Sequence, residues 1–166
     1  MKKRIMAAIL AAIVMAVSGT VMHAKKANDR ESAVIGIIEK YGDKEGVESV
    51  NMGRFLLGLA KMAAGNDDDG DSAWLKYVDR ITIVSAEQAE EDVRDSMSAE
   101  LTSILSGYEK AAEMNNDDDD MSVWVKMEGD STILEMIMFS GSEYALIYIG
   151  GRIPVSEMEN MASDMQ

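Results

Sequence analysis

Two acidic runs are the first residues in this chain whose types could perform chemistry. Asn66 to Asp71 and Asn115 to Asp120 hold consecutive aspartates, and carboxylates are preferred ligands of Ca²⁺. An EF-hand loop also needs glycine at its sixth position and glutamate at its twelfth. Aligning Gly70 with that glycine places Lys76 at the twelfth position, and the second run has no such glycine. We therefore interpret both runs as solvated acidic loops, with weak cation binding as the alternative.

Side chains that normally drive enzymatic chemistry are scarce. His23 is the only histidine and cysteine is absent, so imidazole bases and thiol nucleophiles are missing from the chain after residue 23. The sequence has no Gly-x-Ser-x-Gly elbow, no Ser-x-x-Lys motif and no glycine loop with nucleotide-binding spacing. Carboxylate pairs could still hydrolyse glycosides, but no pair is singled out by its position. The sequence therefore predicts a protein that is not an enzyme and has no cofactor.

Methionine is abundant in this chain. Eleven of the 15 methionines follow Ala24, and thioethers can bind Cu(I) in an oxidising compartment. However, Met136 and Met138 fall on the apolar face of a predicted strand, and the last three methionines fall on one face of a predicted helix. Methionine commonly fills irregular gaps in protein cores. We therefore predict core packing for these side chains and no metal site.

We predict a partner-binding patch formed by four side chains, Trp124, Lys126, Tyr144 and Tyr148. They share a strand parity, and we place them on the less covered face of a predicted sheet, where aromatic residues would offer a binding surface. Such residues more often pack beneath a helix, and that is the alternative. Acidic loops at the rim would steer a basic partner, although screening limits that attraction to about 8 Å at physiological ionic strength.

These four residues belong to a stretch, Met121 to Ile153, that predicts a three-stranded β-meander. Its three apolar runs are separated by two turn signals, Gly129-Asp130 and Ser140-Gly141-Ser142. Within each run the side chains alternate, so that residues such as Val125 and Met136 share one strongly apolar face. Because both faces of this sheet are apolar, helices must cover at least one of them.

The rest of the chain supplies those helices. Helical spacing of apolar residues predicts three helices, over 34–41, 52–63 and 93–108. A short alternating run at 46–51 and a β-branched run at 80–85 predict two further strands. Pro154 with a following capping box predicts a final helix. The predicted fold is therefore α+β, with helices packed on a mainly antiparallel sheet that ends in the three-stranded C-terminal meander. The predicted order is α-β-α-β-α-β-β-β-α.

The N-terminal segment has the layout of a secretory signal peptide. Three basic residues precede an apolar run of 13 residues, Ile5 to Val17, and small and polar residues follow. A membrane-spanning helix needs about 20 apolar residues, so we expect cleavage. We predict a signal peptide at residues 1–24 and a single α+β domain at residues 25–166. The protein is then expected in the periplasm or cell envelope, without a transmembrane span after cleavage.

The mature protein would be strongly acidic. Loss of Lys2, Lys3 and Arg4 with the signal peptide lowers the net charge from −14 to −17. Nucleic acids and anionic membranes attract clustered lysine and arginine, so we expect neither as a partner. The sequence therefore predicts an envelope protein or peptide as the partner.

Four stretches of the sequence together resemble a known family. They are KYGDKEGVESVNMGRFLLGLA from Lys40, IVSAEQ from Ile83, LTSILSGYEKAAEM from Leu101 and YIGGRIPVSEMENMA from Tyr148. They are similar to a family of small secreted proteins, common in Bacteroidota, that carry domain of unknown function 4252. The resemblance covers Glu31 to about Ala162, and the two acidic loops depart from its pattern. Its motifs are mostly hydrophobic positions, together with Gly46, Gly150 or Gly151, Tyr41 and Tyr108.

This resemblance provides no catalytic motif. Members of the family look like exported envelope proteins and are often encoded beside extracytoplasmic-function sigma factors, which implies a link to envelope regulation. Our first hypothesis is therefore a non-enzymatic envelope protein that binds a protein or peptide partner, with a link to envelope stress or sigma-factor signalling. The alternative is a periplasmic protein that binds a small ligand or metal ion, and a carboxylate-dependent hydrolase is the least favoured hypothesis.

Overall fold

The computed structural model describes residues 32–54, 57–58, 70–116 and 119–157. Contacts divide the chain into two units, Met1–Glu31 and Ser32–Gln166, and all described residues belong to the second unit. The predicted signal peptide lies outside the described residues, as do most of the first acidic run and most of the predicted helices over 52–63 and after Pro154. No described helix is both long and apolar enough to cross a bilayer.

The described elements form an α+β fold, as the sequence predicts. In chain order they are helix α1 (Ala33–Gly42), strand β1 (Glu48–Gly53), a 3₁₀ helix (Gly70–Tyr77), strand β2 (Val78–Ser85), helix α2 (Glu91–Leu105), and strands β3 (Glu109–Asn116), β4 (Asp119–Glu128), β5 (Thr132–Ser140) and β6 (Ala145–Pro154). The six strands form one sheet in the order β1-β2-β6-β5-β4-β3. All neighbouring strands are antiparallel. The predicted antiparallel sheet and its C-terminal meander are therefore confirmed.

Strand β3 is the main departure from the predicted order. The predicted helix over 93–108 ends earlier, at Leu105, where the amides of Gly107 and Tyr108 bond the carbonyls of Ile104 and Leu105. The chain then forms an outer strand paired only with β4 among the described strands. The side chains of this strand from 109 to 113 are all exposed. With neither face buried there, its sequence shows no apolar alternation. The meander therefore has four strands. The described residues of the second acidic run lie at the end of β3 and the start of β4.

Helices α1 and α2 pack on one face of the sheet. Helix α1 forms because Val34, Ile37, Ile38 and Tyr41 recur at helical spacing, and all four side chains are buried. Helix α2 buries a second set at the same spacing, Met97, Leu101 and Leu105. These side chains cluster on sheet residues that include Val84, Ile137, Leu146 and Tyr148. The helices thus complete the core on this face, which we call the helix face.

The opposite face of the sheet is also apolar. One row crosses four strands through Ile81, Ile149, Met136 and Val125, and all four side chains are buried. The predicted alternation and the core packing of Met136 are therefore confirmed. Ile147, one step along the same face, is only half-buried. Both faces thus contribute buried surface, as expected for a sheet that separates two apolar layers.

Candidate functional site

A small groove opens where the C-terminal end of α2 meets strands β3 and β4. It is lined by Leu105, Trp124 and Phe139, with the carboxylates of Glu113 and Asp120 at its margin. Its volume is about 170 Å³, below the roughly 300–1,000 Å³ of typical small-molecule pockets. The groove is therefore suited to a single long side chain rather than to a drug-sized ligand.

Trp124 forms one wall of this groove and is held by its neighbours. Its Nε1 donates to Ser122 Oγ at 3.0 Å, and Ser122 Oγ donates to the carbonyl oxygen of Phe139 at 3.3 Å. Trp124 also pairs in register with Ile137 on β5 and packs, partly buried, against the core beneath the helices. The indole is consequently a fixed aromatic surface at the outer part of the sheet.

A cation already lies over this indole. Lys110 Nζ is 4.9 Å from the centroid of the Trp124 ring and 3.1 Å from Glu113 Oε1. The Lys110 and Glu113 side chains are 40% and 47% exposed, and exposed ion pairs contribute only about 0–1 kcal/mol. An exposed cation–π contact adds about 0.5–1 kcal/mol. The chain's own lysine therefore occupies a site that favours a positive charge but holds it weakly.

Asp120 provides the second carboxylate of the groove. Its Oδ1 accepts from the amide of Ser142 at 2.7 Å and from Ser140 Oγ at 3.3 Å. Desolvation opposes the shift, but these hydrogen bonds lower the pKa of Asp120 below its usual value. Gly141 lies close by, since a β-carbon there would be 2.8 Å from Asp120 Oδ2. Asp120 is therefore charged at neutral pH and fixed to the turn between β5 and β6.

Glu135 organises a separate polar cluster on the helix face. Its Oε2 accepts from Ser32 Oγ at 2.5 Å and from the Tyr108 hydroxyl at 2.6 Å, and its Oε1 lies 3.4 Å from Lys126 Nζ. The Glu135 side chain is only 12% exposed. Ser32 directly precedes α1 and makes no side-chain cap to that helix. The cluster therefore joins α1, the segment before β3, and β4 to the middle of the sheet.

Tyr148 lies beside this cluster but is buried. It is 6% exposed and belongs to the core beneath the helices. Its ring lies against Gly150, where a β-carbon would be 2.8 Å from the Tyr148 hydroxyl oxygen. Burial, and then the nearby charge of Glu135, raises the pKa of Tyr148. Because Gly150 has no β-carbon, the Tyr148 side chain has room to lie along β6.

Tyr144 lies apart from both the groove and the Glu135 cluster. It lies in the turn before β6, has a φ of +48° and stacks under the guanidinium of Arg94, whose Cζ is 4.7 Å from the ring centroid. Its carbonyl accepts from the amide of Ala86 at 2.9 Å. These contacts hold a non-glycine residue in the left-handed region, which normally costs energy. Tyr144 thus joins the end of β2 to α2.

The structure shows where the residues of the predicted patch lie. Trp124, Lys126 and Tyr148 do share one sheet face, but it is the helix face, which was the alternative that the sequence left open. Trp124 lines the groove, Lys126 bonds Glu135, Tyr148 is buried, and Tyr144 lies in a turn. Helices cover this face, and its outer part, around Trp124, borders the groove. Partner binding by these residues stays a prediction.

Three residues of these sites were not singled out by the sequence: Lys110, Glu113 and Glu135. Glu135 did leave a signal, since it is a charged residue inside the apolar run ILEMIM, and a buried charge requires partners. Lys110 and Glu113 lie in the strand that was missed, so nothing placed them beside Trp124. Tyr41 and Tyr108 each donate to a glutamate, Glu100 and Glu135 respectively.

Tyr108 should titrate later in the folded protein than in the unfolded chain. Burial, and then its hydrogen bond to Glu135, raises its pKa above the ordinary value of 10.0. Stability from this group is then complete below about pH 10 and is lost as the pH rises further, because only the unfolded chain ionises there. Absorbance at 295 nm, compared between the native protein and a Tyr108→Phe variant, isolates its titration. The same titration pH for Tyr108 in concentrated urea and in the native state would contradict this.

The described residues contain no group of three or more histidine, cysteine, aspartate or glutamate side chains placed to hold a metal ion. Most of the first acidic run and the centre of the second lie outside those residues. The structure therefore does not test cation binding by the acidic loops.

The fold and the groove define a small α+β domain with an acidic margin around an aromatic wall. A family model described as Domain of unknown function (DUF4252) matches residues 41–161, which is most of the chain. The protein therefore belongs to this family, as the four sequence stretches had indicated. No curated protein and no solved structure matches the chain.

Proposed function

We propose that the protein is an exported, non-enzymatic envelope protein that binds a protein or peptide partner, with a link to envelope stress or sigma-factor signalling. The observation that carries this proposal is the groove at Trp124, which places a fixed aromatic ring beside two carboxylates. Aromatic residues are enriched in the energetically important parts of protein interfaces. The proposed partner therefore binds along α2 and β3, at the outer part of the sheet.

A small-ligand function is less well supported by the same geometry. The groove is smaller than typical ligand pockets. A carboxylate-dependent hydrolase would need two carboxyl groups about 5–9.5 Å apart across a cleft that admits a sugar ring. The two carboxylates of the groove are both engaged, Glu113 by Lys110 and Asp120 by the β5–β6 turn. A binding function therefore fits these side chains better than catalysis.

Site-specific crosslinking tests the binding site. A photo-crosslinking amino acid at Thr102, which lines the groove on α2, should capture a partner in cells that naturally produce the protein. The matched control is Ser96, which is exposed on the same helix and lies about 120° away around its axis. A crosslinked product at Thr102 that disappears in a Trp124→Ala variant supports the proposal. Equal products at both positions, or no product at Thr102, would contradict it.

Export is tested by the N-terminus of the mature protein. Because the apolar run is short and has a basic flank, the purified native protein should begin between Gly19 and Asn28. N-terminal sequencing or intact mass measurement provides the answer. A protein that retains Met1 or Lys2 would contradict export by signal cleavage.

A further inference from the structure

We propose that the partner presents an extended basic segment, which adds to β3 as a further strand and places a lysine or arginine over Trp124, in place of Lys110. This inference rests on the proposed binding function and specifies the partner's chemistry. It combines three features of the outer part of the sheet: a strand edge that no other described strand pairs, a cation site and two carboxylates.

The first feature is the outer edge of β3. Within the described part of the chain, β3 pairs with β4 on one side, and no strand pairs with its other side. An unpaired edge presents backbone N–H and C=O groups that an extended peptide can bind. The side chains from Glu109 to Glu113 are exposed, so they do not obstruct an approaching chain. The register shift between Lys110 and Ala112 is a local irregularity of the kind that bends a strand.

The second feature is the cation site over Trp124. Lys110 shows that an ammonium group is accommodated 4.9 Å from the ring centroid, with Glu113 as its counter-charge. The Lys110 side chain is 40% exposed, so it can turn outward into solvent without losing a buried position. A guanidinium or ammonium group from a partner would then have the same ring and carboxylate. Lys110 would therefore compete with the partner's cation for the site over Trp124.

The third feature is charge. Glu113 and Asp120 both line the groove, Glu109 is exposed on the same strand, and the whole chain has a net charge of −14. An acidic segment would be repelled by these carboxylates, whereas a basic segment would be attracted to them. The groove volume of about 170 Å³ accommodates one long side chain. A basic peptide in an extended conformation fits all three features together.

Fluorescence anisotropy of labelled octapeptides tests this directly on the full chain. The probe alternates lysine and valine; the controls are a glutamate–valine peptide and a lysine–valine peptide with alternate backbone amides methylated. We expect saturable binding of the probe, with at least tenfold weaker binding of each control, because one control reverses the charge and the other removes strand pairing. Equal binding of the acidic control would overturn the basic chemistry, and equal binding of the methylated control would overturn strand addition.

Variants of the protein locate the bound cation. Glu113→Gln should weaken binding of the probe several-fold, whereas Lys110→Met should strengthen it because the competing ammonium is gone. Binding should quench the tryptophan fluorescence of the native chain, and this quenching should be absent in a Trp124→Phe variant. Weaker binding by Lys110→Met, or quenching that survives Trp124→Phe, would overturn displacement at this site.

Failure of this inference can be distinguished from failure of the proposed binding function. A partner captured through Thr102, combined with no binding of the basic probe, would overturn this inference and leave the proposed binding function standing. The absence of both would contradict both. Capture of a partner whose contact segment is acidic would also overturn the inference, whatever the peptide result.

Discussion

Replacing Gly46 with alanine should destabilise the domain by several kcal/mol. Gly46 has a φ of +77°, and a β-carbon there would lie 2.3 Å from the carbonyl oxygen of Gln88 and 2.6 Å from the Cα of Ala89. Overpacking typically costs about 1–3 kcal/mol, and a left-handed backbone costs an alanine about 1–2 kcal/mol more. The obstructing atoms belong to the backbone between β2 and α2, so no side chain can rotate away to relieve the contact.

Gly129→Ala is the matched control for this prediction. Gly129 has a similar φ of +62°, but no atom lies within 4 Å of the position that its β-carbon would take. Only the conformational cost of about 1–2 kcal/mol should therefore appear. Urea unfolding followed by circular dichroism measures both variants. Equal losses at the two glycines would mean that Gly46 does not contact the segment before α2.

Leu146→Asp should leave the protein mostly unfolded or prevent its accumulation. Leu146 is fully buried beneath the helices, between Val84 and Phe139 in the sheet register. An unpaired carboxylate there costs several kcal/mol, or becomes a neutral acid with a raised pKa. The buried leucine also contributes about 1.5–3 kcal/mol that the substitution removes. Domains have margins of only roughly 5–15 kcal/mol.

Two further substitutions to aspartate calibrate this result. Ile147 is the next residue on β6, but it points to the other face and is half-buried, so Ile147→Asp should be less damaging than Leu146→Asp. Ser96 is exposed on α2, and Ser96→Asp should change the free energy of unfolding by less than about 0.5 kcal/mol. Urea midpoints rank the three variants. A Leu146→Asp protein as stable as Ser96→Asp would mean that the helices do not cover this face.

The local elements were largely predictable because their signals lie in neighbouring residues. Alternation of apolar side chains and the turn residues at Gly129-Asp130 and Ser140-Gly141-Ser142 predicted β4, β5 and β6, which the structure confirms. The 3.6-residue period likewise predicted α1 from Val34 to Tyr41. Such patterns are strong where one side of an element is buried.

Strand β3 escaped prediction for a physical reason. Its first six residues, EKAAEM, are good helix formers, and the strand shows no alternation. An outer strand with exposed side chains receives its conformation from hydrogen bonds to β4 rather than from its own sequence. The sequence predicts an acidic loop from Asn115 to Asp120, whereas the described residues of this run belong to β3 and β4.

Composition, period and turn chemistry by themselves determined the α+β class, the antiparallel meander and the two-sided apolar character of the sheet. The tertiary structure alone decided that β6 pairs with β2, that α1 and α2 cover the face of Trp124 and Tyr148, and that Lys110 meets the indole. A strand's two faces are distinguishable by polarity, but when both are apolar only the packed helices decide which is covered. Contacts between residues distant in sequence depend on that choice, so the candidate site became visible only in the folded chain.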